Sequence, residues 1–200
     1  MANPDAPFGF KPWKHGAGGM PGRTNEYLIA SAYATSIFYG DLVKQVADGT
    51  IELAGEGDAF IGIFLGCNYT AADGSVVFSQ MWTASTATKT GTLRKAIVAD
   101  DPNMHYLCQA TATIALADIG QLADMDNAQA GSSTTKISGQ AIVIGGAEGG
   151  FRVVDVLDVQ HGYPIRNAAG NPDFALPGAN AYCVVKPLEH QLGGSAGTEV

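Results

Sequence analysis

The side chains best suited to metal binding are scattered along this chain of 200 residues. Its histidines stand at positions 15, 105, 161 and 190, and its cysteines at positions 67, 108 and 183. Zinc sites need such ligands at short, repeated spacings, which are absent here. Only His105 and His161 lie where predicted strand ends can bring them together. The spacing therefore predicts no metal site, and it predicts that the three thiols are free and buried in a protein made in a reducing cytoplasm.

Paired carboxylates are a second candidate for chemistry, because two acids close together can divide the acid and base roles. Asp100 and Asp101 are adjacent, but Pro102 and Asn103 follow them. Asp and Asn side chains bond to their own backbone in turns, and Pro fixes φ, so the motif favours a turn over a catalytic pair. Residues 124–127 (DMDN) resemble half of a calcium loop, but the required Gly and bidentate Glu are missing.

Other short motifs also fail to indicate a reaction. No Gly-x-Ser-x-Gly elbow of a hydrolase occurs. The glycine-rich run at 145–150 opens no helix, so it predicts a hairpin loop and not a phosphate cradle. Residues 68–70 (NYT) match a glycosylation acceptor, which has meaning only in a secreted chain. The sequence therefore predicts a protein that is not an enzyme, with no catalytic residues, no cofactor and no bound metal.

Composition restricts the class of partner. Charged residues make up 15% of the chain, below the usual share of about 25%, and the formal net charge is −8. Such a charge disfavours duplex nucleic acid as a partner. No apolar run approaches the roughly 18 residues of a membrane span, and the N-terminus lacks the apolar core of a signal peptide. We therefore expect no direct contact with nucleic acid or with a membrane.

Two hairpins are the clearest local predictions. An Asp-Gly pair at 48–49 separates alternating runs at 41–46 and 50–54, and a second pair at 73–74 separates runs at 59–69 and 75–82. Asp-Gly supplies the positive φ angles of a type I′ turn, so both pairs predict tight turns between antiparallel strands.

The remaining chain also reads as short strands between turns. Further strands are predicted at 27–33, 92–98, 105–110, 136–144, 150–160 and 182–190, with a turn at 118–128 and loops at 85–91 and 162–179. Residues 151–159 form the longest apolar run and are predicted to be central in a sheet. No segment keeps a 3.6-residue period, so the fold class is predicted as all-β, an antiparallel barrel or sandwich. Its core domain is residues 27–190, and residues 191–200 form a flexible tail.

Residues 1–26 are predicted to form an extended N-terminal arm. Their four prolines disfavour a helix and a strand inside a sheet, while their aromatic residues are untypical of disorder. Such a segment can lie along the surface of a partner, with these residues as the candidate contacts: Phe8, Phe10, Lys11, Trp13 and Arg23. The alternative is that the segment packs back on its own domain.

Several segments resemble head decoration proteins, also called cement proteins, of tailed bacteriophages. They are residues 3–12 (NPDAPFGFKP) with 22–23, residues 37–43, 98–103, 107–110 and 118–120, and residues 151–156 with His161. The resemblance implies a β-rich structural protein on the capsid exterior, made in the host cytoplasm. It further implies contacts with the major capsid protein, self-association as a dimer or trimer, and no catalytic residues.

Two other functions stay open from the sequence. A tail-tube or head–tail joining subunit of a virion would also be β-rich and would assemble into rings or tubes. A surface-displayed carbohydrate-binding module would use exposed aromatic side chains, for which Tyr69 and Trp82 are candidates, although both are expected in the cores of their hairpins.

Overall fold

A computed structural model describes residues 5–19, 22–145, 149–157 and 179–193 of the chain. Within these residues the fold consists of twelve strands and a single 3₁₀ turn, Leu116–Asp118, so the predicted all-β class is confirmed. Most of the loop predicted at 162–179, most of the predicted tail, and His161 lie outside the described residues. The strands are β1 (Lys11–His15), β2 (Thr24–Ile29), β3 (Leu42–Gln45), β4 (Thr50–Leu53), β5 (Gly62–Thr70), β6 (Val76–Ser79), β7 (Lys95–Ala99), β8 (Met104–Gln109), β9 (Leu122–Asp126), β10 (Ala141–Ile144), β11 (Phe151–Leu157) and β12 (Tyr182–Pro187).

One sheet is a closed five-stranded barrel with a sixth strand attached. Its order is β3-β4-β2-β7-β5-β6, and β3 also pairs with β5, which closes the ring. All pairs are antiparallel except the parallel pair β2–β4. The interior is filled by inward-facing apolar side chains, including Ile29, Val43, Ile51, Phe64 and Trp82. Among the described residues β6 pairs with β5 alone, so it forms the edge of this sheet.

The other sheet has the order β1-β8-β12-β11-β9-β10, with antiparallel pairs throughout. A parallel bridge between Ala110 and Ile142 joins β10 to the end of β8, so this sheet also curls towards closure. As predicted, β11 is central. At the end of the order, β1 pairs with β8 alone in the part of the chain that the structure describes, and it forms an edge of this sheet.

A cluster of aromatic rings packs the two sheets together. Phe151 of β11 stacks on Phe10 and on Phe60 at centroid distances of 5.2 and 5.1 Å, and Tyr106 of β8 meets all three rings. Phe60 lies two residues before β5 of the barrel, and Leu42 of the barrel belongs to the same core. Removing this cluster from water supplies a large share of the apolar burial that joins the sheets.

Both predicted hairpins are present, β3–β4 and β5–β6, but the type I′ turn is wrong. In the first turn only Gly49 has a positive φ, of 82°, and its N–H donates to the carbonyl of Val46. The Asp48 carboxylate accepts hydrogen bonds from the N–H and hydroxyl of Thr50 at 2.9 and 2.7 Å. This carboxylate favours a type I turn followed by a glycine bulge, and Asp73 makes the same bonds to Ser75.

The N-terminal segment contributes an edge strand, although its prolines disfavour a strand inside a sheet. Residues 11–15 form β1 and pair with β8, with a bulge between Pro12 and Lys14. Proline is tolerated there because an edge strand needs hydrogen bonds on one side only. Phe10 has no exposed surface, and its N–H donates to Gly40 at 2.8 Å. The described part of the predicted arm is thus integrated into the fold, as in the alternative of packing on its own domain.

Three other boundaries differ from the predictions. Residues 122–126, expected in a turn, form β9, and residues 136–140, expected in a strand, precede β10. The first core strand covers 24–29 and not 27–33. The strands β7 and β8 do not pair with each other. The turn after Ala99 instead connects β7 in the barrel to β8 in the other sheet.

Candidate interaction surfaces

The five predicted partner contacts have different environments. Phe10 has no exposed surface and packs in the core of its own chain. Phe8 is half-buried and packs edge-on against the ring of Tyr182 at 5.2 Å, and the ammonium of Lys11 lies 4.2 Å from the Phe8 ring centroid. Trp13 is 46% exposed on β1. Of the aromatic residues predicted to bind a partner, Trp13 is the one that the fold leaves on the surface.

Arg23 belongs to a buried charge cluster. Its Nε lies 3.2 Å from Oδ1 of Asp100, whose side chain has no exposed surface. Asn25 and Tyr27 donate hydrogen bonds to Oδ2 of the same carboxylate at 2.7 and 2.6 Å. Arg23, just before β2, and the alternate β2 residues Asn25 and Tyr27 therefore converge on one buried acid, and we call this group the Asp100 clamp. The bonds from these side chains hold the Asp100 carboxylate in place between them.

Asp101 does not share the environment of Asp100. Its carbonyl accepts a hydrogen bond from the N–H of Met104, and its carboxylate accepts one from the N–H of Asn103 at 2.9 Å. Its other carboxylate oxygen lies 3.4 Å from Nε2 of His15. The predicted turn is confirmed, and the two neighbouring acids have separate partners.

The free edge of the barrel carries an apolar patch that the sequence predictions missed. On β6, Val76 is 67% exposed and Phe78 is 76% exposed, and as alternate residues they face the same side. Phe78 lies opposite Asn68 of β5 in the antiparallel pair. Within the described residues, β6 pairs only with β5. The alternation of 76 and 78 is visible in the sequence, but nothing in it tells which face of an edge strand is covered.

The other residues that the sequence suggested for binding are held by contacts within the fold. Trp82 is buried and donates to the carbonyl of Tyr33 at 3.3 Å, and its ring packs edge-on against Tyr69 at 5.5 Å, so these two rings form no open platform. The Asp124 carboxylate accepts hydrogen bonds from the N–H groups of Gly149 and Gly150, and thereby holds one end of the glycine-rich loop.

All three cysteines are free and buried, as predicted. Cys108 and Cys183 are cross-strand neighbours whose sulfur atoms lie 3.7 Å apart. Burial raises the pKa of the Cys67 thiol to about 12 and that of Cys108 well above its ordinary value. The described residues contain no group of three or more His, Cys, Asp or Glu side chains arranged to hold a metal ion. Among the described residues, no helix has the length and apolar character needed to cross a membrane.

A small cavity lies beside Phe60 and Phe151 and has a volume of about 10 Å³. This is room for at most one water molecule.

Comparison of the chain with known proteins finds no matching family model, no matching curated protein and no matching solved structure.

Proposed function

We propose that this protein is a structural virion component that binds the outer surface of a phage capsid and stabilises contacts between major coat subunits. The observation that carries the proposal is the pair of free sheet edges with exposed aromatic side chains. Trp13 lies on β1, the edge of one sheet, and Phe78 lies on β6, the edge of the other. A protein that braces neighbouring subunits needs at least two contact regions, and this fold offers two.

The chemistry of these edges suits protein contacts. A free edge strand offers unpaired N–H and C=O groups to another chain. Trp is among the residues most enriched at binding hot spots, and burying a side chain such as Phe contributes about 2 kcal/mol. The proposal does not require residues 1–26 to be an extended arm, because Trp13 lies on β1, a strand of the fold.

A non-enzymatic role agrees with the environments of the candidate catalytic side chains. Asp100 is held by three side chains of the clamp, and Asp101 is bonded within its turn. The resemblance to head decoration proteins of tailed phages supports the same role. We include in the proposal the major capsid protein as partner, the capsid exterior as location, and assembly as a dimer or trimer.

The test is co-sedimentation of the protein with phage heads assembled from the major capsid protein that we propose as its partner. We expect the Trp13→Ala and Phe78→Ser variants each to bind heads at least tenfold more weakly, and the double variant to lose binding. Leu93→Ser is the matched control, because Leu93 is also exposed but lies outside both edge strands. Undiminished binding by the double variant, with native circular dichroism, would refute the proposal.

A tail-tube or head–tail joining subunit is the second candidate, supported by the same two edges. If β1 of one copy met β6 of the next, the contact would be head-to-tail, which generates rings or filaments. Electron micrographs of the purified protein discriminate between the functions: closed rings or tubes favour the tail or joining subunit, and separate small particles favour the cement protein.

A further inference from the structure

A row of basic side chains crosses four adjacent strands of the first sheet. Lys14 of β1 lies opposite His105 of β8, and Lys186 of β12 lies opposite Arg152 of β11. Tyr106 lies opposite Val185, which places the next residues, His105 and Lys186, opposite each other as well. We call these four side chains, Lys14, His105, Lys186 and Arg152, the basic row.

The basic row faces away from the core. Strand residues alternate between the two faces of a sheet, and the neighbours of the row, Tyr106, Val185 and Phe151, all belong to the buried core. Lys14, Lys186 and Arg152 are exposed, and His105 is half-buried. With adjacent strands about 4.8 Å apart, the row is about 14 Å long.

The cations of the row have no carboxylate partner within the described residues. The ion pairs found there join other residues: His15 with Asp101, Arg23 with Asp100, Lys44 with Asp58, and Lys95 with Glu26. Arg152 donates one hydrogen bond, to the carbonyl of Gly120 at 2.7 Å. Lys186 and Arg152 are direct neighbours, and Lys14 lies on the far side of His105. Like charges this close repel one another, so the binding of an anion along the row is favourable.

A cleft opens beside the two middle members of the row, His105 and Lys186. It has a volume of about 390 Å³ and is lined by His15, Gly16, Ala17, Asn103, His105 and Lys186. The Nδ1 atom of His105 is buried and has no hydrogen-bond partner. One carboxylate lies near the cleft, that of Asp101 beside His15. On β11, Asp155 directly follows the bulge and accepts the N–H of Val156.

We propose that the basic row is a docking surface for an extended acidic segment of a partner protein. Alternate side chains of an extended chain lie about 6.8 Å apart on one face, so three carboxylates at positions i, i+2 and i+4 span about 14 Å. That length matches the basic row. Each carboxylate then lies close to one or two basic groups, and the pairing is of the charge-assisted kind.

Charge complementarity selects a short acidic segment over a nucleic acid. The whole chain carries a formal charge of −8, so a long polyanion meets repulsion outside the row. A segment with three carboxylates contacts the row alone. The inference goes beyond the capsid proposal and does not rest on it, because any acidic partner satisfies the same geometry.

The experiment measures fluorescence anisotropy of a labelled peptide, Gly-Glu-Ala-Glu-Ala-Glu-Gly, titrated with the full chain at low salt. We expect binding that weakens at least tenfold in the Lys14→Gln/Lys186→Gln double variant. The matched control is Lys89→Gln, because Lys89 is exposed and lies in a loop away from this sheet. The same peptide with Gln in place of Glu is expected not to bind.

Three results would overturn the proposal. One is equal binding of the Glu and Gln peptides, and another is unchanged affinity in the double variant with native circular dichroism. The third is tighter binding of a labelled 20-base-pair DNA duplex than of the Glu peptide, which would assign the row to nucleic acid. Failure of head binding with normal peptide binding would contradict only the capsid proposal.

Discussion

The hydroxyl of Tyr27 in β2 donates a hydrogen bond of 2.6 Å to the buried carboxylate of Asp100, the first residue after β7. Asp100 stands where the chain leaves the barrel for the other sheet. The bond therefore fixes the start of the crossover against a neighbouring barrel strand. Burial and the hydrogen bond to Asp100 both raise the pKa of Tyr27, which keeps its proton in place to donate.

Disrupting the Asp100 clamp should destabilise the fold. We expect Tyr27→Phe to lower the free energy of unfolding by about 1–2 kcal/mol, because a charge-assisted hydrogen bond is lost. Asp100→Asn should cost about 3 kcal/mol, since an amide nitrogen then faces fixed donors. Urea unfolding measures both. Tyr39→Phe is the matched control, because the Tyr39 hydroxyl makes no hydrogen bond within the described residues. Equal losses in Tyr27→Phe and Tyr39→Phe would contradict this role.

Asp41 should make the protein more stable as the pH falls. Burial raises the pKa of this carboxyl from 3.8 to about 6, although the N–H of Phe38 and the side chain of Ser138 donate hydrogen bonds that oppose the shift. The folded state thus binds the proton more tightly than the unfolded state. The resulting stability, at most about 3 kcal/mol, is fully present below pH 3.8 and is lost as the pH rises through 6.

His190 should have the opposite effect in the same pH window. Burial lowers the pKa of its imidazole from 6.5 to about 4, while the nearby Asp100 and Asp101 carboxylates act in the other direction and Arg23 adds to the lowering. Stability from His190 is therefore present above pH 6.5 and is lost as the pH falls through 4.

Two single variants separate these opposed slopes between pH 4 and 6. In Asp41→Asn the effect of His190 remains, so the free energy of unfolding should fall as the pH is lowered to 4. In His190→Asn the effect of Asp41 remains, so the free energy of unfolding should rise as the pH is lowered to 4. Urea midpoints measured every half pH unit provide the check. Identical pH profiles in the two variants would rule out this pair as the source of the dependence.

Gly40 should be needed to hold the N-terminal segment on the barrel. Its φ is +94°, and an added Cβ would lie 2.8 Å from the carbonyl oxygen of Phe8. We expect Gly40→Ala to cost about 3 kcal/mol, from backbone strain and from displacement of residues 8–10. Gly91→Ala is the matched control: its φ is +79°, but open space surrounds the added Cβ, so strain of about 1 kcal/mol remains. Thermal unfolding compares them, and equal losses would contradict the close approach.

The thiols should be unreactive in the folded protein. All three cysteines are buried, and burial raises the pKa of Cys67 to about 12, so almost no thiolate forms at pH 8. An aromatic disulfide reagent at pH 8 should therefore label no thiol rapidly in the native state and three after denaturation in urea. Rapid labelling without denaturant would show that the thiols are accessible.

Local patterns in the sequence were sufficient for much of the fold. The Asp-Gly pairs at 48–49 and 73–74 located both hairpins, because turn chemistry acts within four residues. The apolar run that begins at residue 151 indicated a central strand, and β11 lies between β12 and β9 in its sheet. The burial of the cysteines likewise followed from residue type.

Tertiary structure alone decided the parts that depend on pairing between distant segments. The sequence of 1–26 does not show that β8 offers an edge on which Pro12 is harmless, nor that the aromatic cluster has room for Phe10. The contacts of the Asp100 clamp and the Cys108–Cys183 contact join residues about 75 positions apart. The basic row joins strands from separate regions of the chain. Strand order and register set these neighbours, and both are fixed by the packing of the whole core, which no local pattern specifies.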